Sequence, residues 1–211
     1  MRAFRPLAVL LAGLTATPVF GGSLQVFGGY ADTRSADLDV ELRYYVPPLS
    51  ASEPVDGESP SFGARVLFPI APYPAWSIGL DLSQFEASSD TVGIDAWPLT
   101  MHLRYTFRGV PAEPYLGLGY SLTYVDVDVS ADSSLGVAAS ESSFGAGPAA
   151  MAGLSFALGE ASSLFLEYRH DWTRVDFETE SVPLFAPAEV TSRYSVNLDT
   201  DRILLGLSYD F

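Results

Sequence analysis

Apolar and polar residues alternate along this chain with a period of two, over stretches longer than most strands of soluble proteins. In "AWPLTMHLRYTF" (residues 96–107), Trp97, Leu99, Met101, Leu103, Tyr105 and Phe107 share one face of an extended strand, and Pro98, Thr100, His102, Arg104 and Thr106 share the other. "WSIGLDLSQF" sets Trp76, Ile78, Leu80 and Leu82 against Ser77, Gly79, Asp81 and Ser83. "YLGLGYSLTY" sets Leu116, Leu118, Tyr120, Leu122 and Tyr124 against Gly117, Gly119, Ser121 and Thr123. "LFLEYRHDW" places Leu164, Leu166, Tyr168 and Trp172 opposite Glu167, Arg169 and Asp171. The alternation weakens in "FGAGPAAMAGLSF", although Phe144, Leu154 and Phe156 still fall together. At the end of the chain, Ile203, Leu205, Leu207, Tyr209 and Phe211 face one way while Leu204, Gly206, Ser208 and Asp210 face the other.

These segments predict eight strands, over residues 24–34, 61–69, 75–87, 94–107, 114–129, 143–157, 164–178 and 194–211. The connections alternate in length. "PIAPYPA", "RGVPAE" and "GEASS" are tight, whereas the links between them are mostly longer and acidic. "DLDVELRYYV" (residues 37–46) also alternates, and reads as an extension of the first strand; as an independent strand it would point to a ten-stranded barrel.

A soluble sandwich would bury the apolar faces and wet the polar ones, while a membrane barrel inverts this assignment. Aromatic residues cap both ends of the apolar faces. Trp97 and Phe107 are ten steps apart, which at about 3.3 Å per step and a tilt near 40° spans roughly 26 Å, close to the ~25 Å apolar band of an outer-membrane barrel. The polar faces are rich in glycine, serine and single charges, which suit a narrow lumen. Inversion is therefore the expectation: an all-β, eight-stranded antiparallel up-and-down transmembrane β-barrel.

Composition sharpens this picture. The chain has 211 residues, a mean hydropathy of +0.19 and 13% aromatic residues, enough for a sizeable fold. A formal charge of −15 argues against a nucleic-acid partner, because a phosphate backbone would be repelled. The absence of cysteine removes disulfides, thiolate metal sites and cysteine nucleophiles. Arg2 and Arg5 followed by "PLAVLLAGL", with Val19 and Gly21 at cleavage-compatible spacing, predict a signal peptide over residues 1–21 and a barrel domain over 22–211. No later run approaches the ~20 apolar residues of a transmembrane helix, so any crossing is made by strands.

The alternating terminal strand ending in "LSYDF", with the repeated alternation and the short-turn, long-loop rhythm, resembles the small OmpA/OmpX-type outer-membrane β-barrel family over about residues 22–211. The resemblance implies residence in the cell outer membrane and contact with outer-membrane lipid and lipopolysaccharide. It also implies recognition by the outer-membrane assembly machinery through Ile203, Leu205, Leu207, Tyr209 and Phe211. It does not single out a function. A monomer with a structural and surface-presentation role is expected, without catalysis or cofactor. A small or gated pore for ions or small solutes is the alternative, and a lipid A-modifying barrel enzyme the third reading.

Parity directs Arg65, Asp81, Arg104, Glu167, Arg169, Asp171 and Arg202 into the barrel, with His102 beside them. An eight-stranded bore is just wide enough for side chains, and a lone buried ion costs several kcal/mol, so these charges are expected to pair, either as a fixed plug or as a gate. Outside the lumen, Glu53, Asp56, Glu58, Glu86, Asp90, Asp95, Asp126, Asp128, Asp132, Glu141, Asp176, Glu178, Glu180 and Glu189 are assigned to the outer loops. They form a solvated surface or bridge through divalent cations to lipopolysaccharide. No spacing among them matches an EF-hand loop, and no metal site is expected. "VPLFAPAEV" (residues 182–190) is an apolar interruption that could cover the mouth or touch a partner.

The residues fit neither of two catalytic schemes known for barrels. A barrel deacylase needs a histidine and a serine two apart, and neither His102 nor His170 has one. An omptin-like protease needs aspartate and His/Asp pairs. Asp199, Asp201, His170 and Asp171 supply the types, but adjacent His170 and Asp171 point apart. The glycines of "FGAGPAAMAG" precede no lysine and form no nucleotide loop.

Overall fold

The computed structural model describes residues 21–42, 49–88, 92–129, 139–181 and 190–211. Every regular element among them is a strand: β1 (Ser23–Leu42), β2 (Leu49–Ile70), β3 (Tyr73–Ser88), β4 (Val92–Thr106), β5 (Ala112–Val129), β6 (Ala139–Ala157), β7 (Ser162–Ser181) and β8 (Val190–Asp210). Each strand pairs antiparallel with its sequence neighbour, and β1 pairs with β8 from Ser23↔Asp210 onward, which closes the barrel. The closure continues past the last strand. Gly22 N–H donates to the Phe211 carbonyl at 3.0 Å, and Phe211 N–H donates to that of Gly22 at 2.9 Å. No strand is left with an open edge, which is what a sheet in hydrocarbon requires.

Among the described residues, 71–72, 107–111 and 158–161 make three turns, all at the end that also carries both ends of the described barrel. The segment at 37–46 does not form a ninth strand as far as it is described, since β1 runs unbroken in sequence to Leu42 with a register shift between Thr33 and Ala36; residues 43–46 lie outside the described residues. So do the expected signal peptide, except Gly21, and most of "VPLFAPAEV".

The side chains follow the inverted assignment. Met101 is 62% exposed, Leu118 72% and Ile203 60%, whereas Arg65, Arg169 and Arg202 are wholly buried. Charged groups inside and bare leucine outside are stable together only if the surroundings are hydrocarbon. Rings cluster at both ends of the apolar band. Trp76, Tyr105 and Phe107 stack near the turns, with centroids 4.9 and 4.8 Å apart. Tyr124 and Phe144 meet at 5.2 Å towards the other end. These rings form the interfacial girdles.

The strands overrun the predicted boundaries away from the turns. Residues 49–60, 139–142 and 190–193, expected as loops, belong to β2, β6 and β8. Many acidic residues assigned to outer loops therefore lie on strands, among them Glu53, Asp56 and Glu58 on β2, Glu86 on β3, Asp95 on β4, Asp126 and Asp128 on β5, Glu141 on β6, and Asp176, Glu178 and Glu180 on β7. The reason is physical. Above the apolar band both faces of a strand are wet, so backbone pairing persists after the apolar-polar alternation that signals it has ended.

Of the close backbone approaches that glycine permits in the wall, the tightest is at Gly147. A Cβ on Gly147 would lie 1.5 Å from the carbonyl oxygen of Trp172, so β6 and β7 come together there only because the side chain is absent.

Nitroxide labels at residues 103 and 205, replacing Leu103 and Leu205, are expected to be relaxed more by dissolved oxygen than by a polar nickel chelate. The reverse preference would place the apolar faces in water.

Candidate functional site

The lumen is crossed by a chain of alternating charges. Arg65 on β2 and Asp81 on β3 are register partners, and Arg65 Nε donates to Asp81 Oδ2 at 3.2 Å. From the same guanidinium, Nη1 and Nη2 reach across the bore to Glu167 on β7, at 2.7 Å to Oε2 and 2.6 Å to Oε1. This two-pronged geometry is the strongest that arginine and carboxylate make. Asp81 also accepts from Arg169 Nη1, at 2.9 and 2.8 Å on its two oxygens. Arg169 Nε donates to Asp171 Oδ1 at 3.2 Å, and Arg202 Nε to Asp171 Oδ2 at 3.1 Å, with Arg202 Nη2 on the same oxygen.

Local strand geometry explains why Asp171 is needed. Arg169 and Arg202 stand directly opposite each other across β7 and β8, an arrangement that repels. Asp171, two residues along β7 on the same face, places one oxygen on each. The network then closes on neutral groups: Arg202 Nη1 donates to Ser83 Oγ at 2.7 Å, Arg65 Nη1 to Gln25 Oε1 at 3.3 Å, and Tyr115 O–H to Glu167 Oε2 at 2.9 Å. Rings cover the cations. Arg65 lies 5.4 Å from the Phe27 centroid and 6.0 Å from that of Phe165, and Arg202 lies 5.5 Å from that of Phe85.

Of the eight lumen residues named from parity, Arg65, Asp81, Glu167, Arg169, Asp171 and Arg202 form this network, three cations with three anions. His102 joins at its edge, with Nδ1 3.5 Å from Asp81 Oδ2. Its ring occupies space beside Gly79, where a Cβ would come within 2.2 Å of it. Arg104 faces the lumen but stands apart. Its guanidinium packs 3.5 Å from the Tyr115 centroid, and Nε donates to Thr106 Oγ1 at 3.3 Å.

Gln25, Ser83, Tyr115, Phe27, Phe85 and Phe165 take part without having been named among the lumen charges, although Ser83 already shares the polar face of Asp81. Each is buried, and each lies on the inward parity of its strand. Alternation would have found them; an uncharged or aromatic side chain simply gives no sign that it belongs with ions.

The other named residues take outward positions. Ile203, Leu205, Leu207, Tyr209 and Phe211 are all exposed along or just beyond β8. His170 also points out, with Nδ1 2.7 Å from Asp201 Oδ1 and its ring 4.1 Å from that of Trp172, while Tyr168 O–H donates to the same aspartate oxygen. Asp171, its chain neighbour, points in. Beyond Trp97 and Tyr124 of the upper girdle, Glu86, Asp95 and Asp126 are consecutive register partners across β3, β4 and β5. Partial burial, then the charges of Glu86, Asp126 and Asp128, hold the Asp95 carboxyl above its ordinary range.

Comparison with known proteins bears on this barrel as a whole. Residues 7–211 match the family model described as "Outer membrane protein beta-barrel domain". Among solved structures, neisserial surface protein A is similar, with 15% identity, a TM-score of 0.60, and coverage of 90% of this chain and 97% of that one. The outer membrane protein OprG from Pseudomonas aeruginosa is 18% identical, with a TM-score of 0.61 and coverage of 91% and 97%. No curated protein sequence matches.

Two substitutions probe these charges. Glu167→Gln leaves Arg65 with one carboxylate in a sealed bore, and is expected to lower stability to urea unfolding by about 3–5 kcal/mol, while replacing Arg65 and Glu167 together by Met costs less than that single change. Asp95→Asn is expected to stabilise the barrel at neutral pH. A carboxyl with a raised folded pKa costs stability once ionised, so the gain should vanish when pH falls below the ordinary carboxylate range and be complete above the raised value, as read from unfolding midpoints across pH.

Proposed function

Because the chain belongs to the outer membrane protein β-barrel family and resides in the outer membrane, we propose that it is a non-enzymatic barrel whose work is structural and whose product is a presented surface. The observation that carries this reading is the bidentate Arg65–Glu167 pair spanning the bore, locked to Asp81, Arg169, Asp171 and Arg202. Opening a path would require several buried ion pairs to separate at once, each with a cost of several kcal/mol. Short periplasmic turns orient the barrel, so the extended acidic ends of β2 to β7 stand on the cell surface. There the outward row Glu86, Asp95 and Asp126 faces the headgroup layer, and lipopolysaccharide is the proposed partner, with divalent cations bridging like charges. Catalysis finds little to work with. Among the described residues neither histidine is joined to a hydroxyl nucleophile: His170 engages Asp201 and Trp172, and His102 abuts Asp81.

A small gated pore is the second reading, favoured by a cavity that leads from the turn end as far as Arg104. Planar-bilayer recording separates the two. The wild-type barrel is expected to insert without discrete conductance steps, and paired removal of Arg65 and Glu167 side chains, each to alanine, is expected to produce them. Regular steps from the wild type would transfer the assignment to the pore.

A further inference from the structure

Among the described residues the lumen contains four arginines, and three of them make the arginine–carboxylate pairs there. Arg104 is 5% exposed, has no carboxylate within salt-bridge distance among the described residues, and leaves Nη1 without a hydrogen-bond partner. Tyr115 holds the plane of its guanidinium and Thr106 takes Nε. Arg104 also lines a cavity of 510 Å³ at the turn end, although Nη1 itself is closed off. Ser77, its register partner on β3, lines the same cavity, as do Gln25 and Ser208.

A buried guanidinium with no carboxylate in salt-bridge contact is costly, and one held against a ring at a cavity wall is preorganised for an oxyanion. The cavity's size lies within the range of small-ligand sites. Its mouth carries Glu113, Glu160 and Asp210 beside Arg108. These carboxylates repel a ligand bearing several negative charges and leave one with a single carboxylate as the best match. We propose that this periplasmic vestibule binds a small monocarboxylate, with its oxyanion end on Arg104. The site lies on the turn side of the ion-paired plug, and it operates whether or not the lumen conducts.

The test follows the arginine side-chain Nε–H resonances of the full barrel in detergent micelles as sodium acetate is added, against sodium chloride at equal ionic strength. A saturable shift of the Arg104 signal with acetate alone is expected. Two variants locate it: Arg104→Gln removes the signal and should weaken acetate binding, followed by backbone amide shifts, at least about tenfold, the loss of a charge-assisted contact. Ser77→Asp keeps Arg104 but supplies the missing counter-ion, and should block the Arg104 shift. Equal responses to acetate and chloride, or acetate binding of unchanged strength in either folded variant, would overturn the proposal.

Discussion

Eight strands enclose a bore so narrow that side chains from opposite walls meet, and what meets here is charge. Arg65 on β2 touches Glu167 on β7, and Arg169 on β7 touches Asp81 on β3. In a low-dielectric interior these groups are tolerable only in balance, and Arg65, Arg169 and Arg202 each bond at least one carboxylate. That condition fixes much else. Because the pairs bridge non-neighbouring strands, they specify which residues face each other across the barrel, and a slip of one residue in any contributing strand would carry a charge out into lipid.

The outer face obeys the complementary demand. Backbone groups in hydrocarbon have no water to bond, so the wall must be continuous, and it closes down to the reciprocal hydrogen bonds between Gly22 and Phe211. Side chains on that face need only be apolar. Leu, Ile, Met and Val accordingly all occur along it, while the girdle positions carry Trp, Tyr and Phe. Specificity of register therefore resides in the lumen, and affinity for the membrane resides outside.

The sequence disclosed the parts of this arrangement that period two encodes. Residues 96–107 showed which of Leu103 and Arg104 would face lipid, and the same logic placed Glu167, Arg169 and Asp171 inside and His170 outside. Two things were not legible. Parity assigns a direction but no depth, so it gave four positive lumen charges against three negative without showing that Arg104 is the one left over. It also could not show how far each strand rises into water. Between residues 49 and 60, "LSASEPVDGESP" has the composition of a loop, yet it pairs with β1 through Asp39↔Ser52 and Ala31↔Ser59. Long-range pairing holds those residues extended, and local composition carries no trace of it.

The same separation of direction from depth links the site to the proposed role. Tyr115 is the hinge of the arrangement: its hydroxyl serves Glu167, inside the plug, while its ring face carries Arg104, on the turn side of it. One residue thus ends the sealed network and begins the open cavity. Above that boundary three cations are balanced by three anions; below it a cation is held against a ring at the wall of a cavity that hydroxyls also line. A barrel that needed only to be plugged could have carried an uncharged residue at position 104, as it carries Thr100 and Ser121 farther up the same wall. Keeping an arginine there costs stability unless something bound at the turn end offsets it.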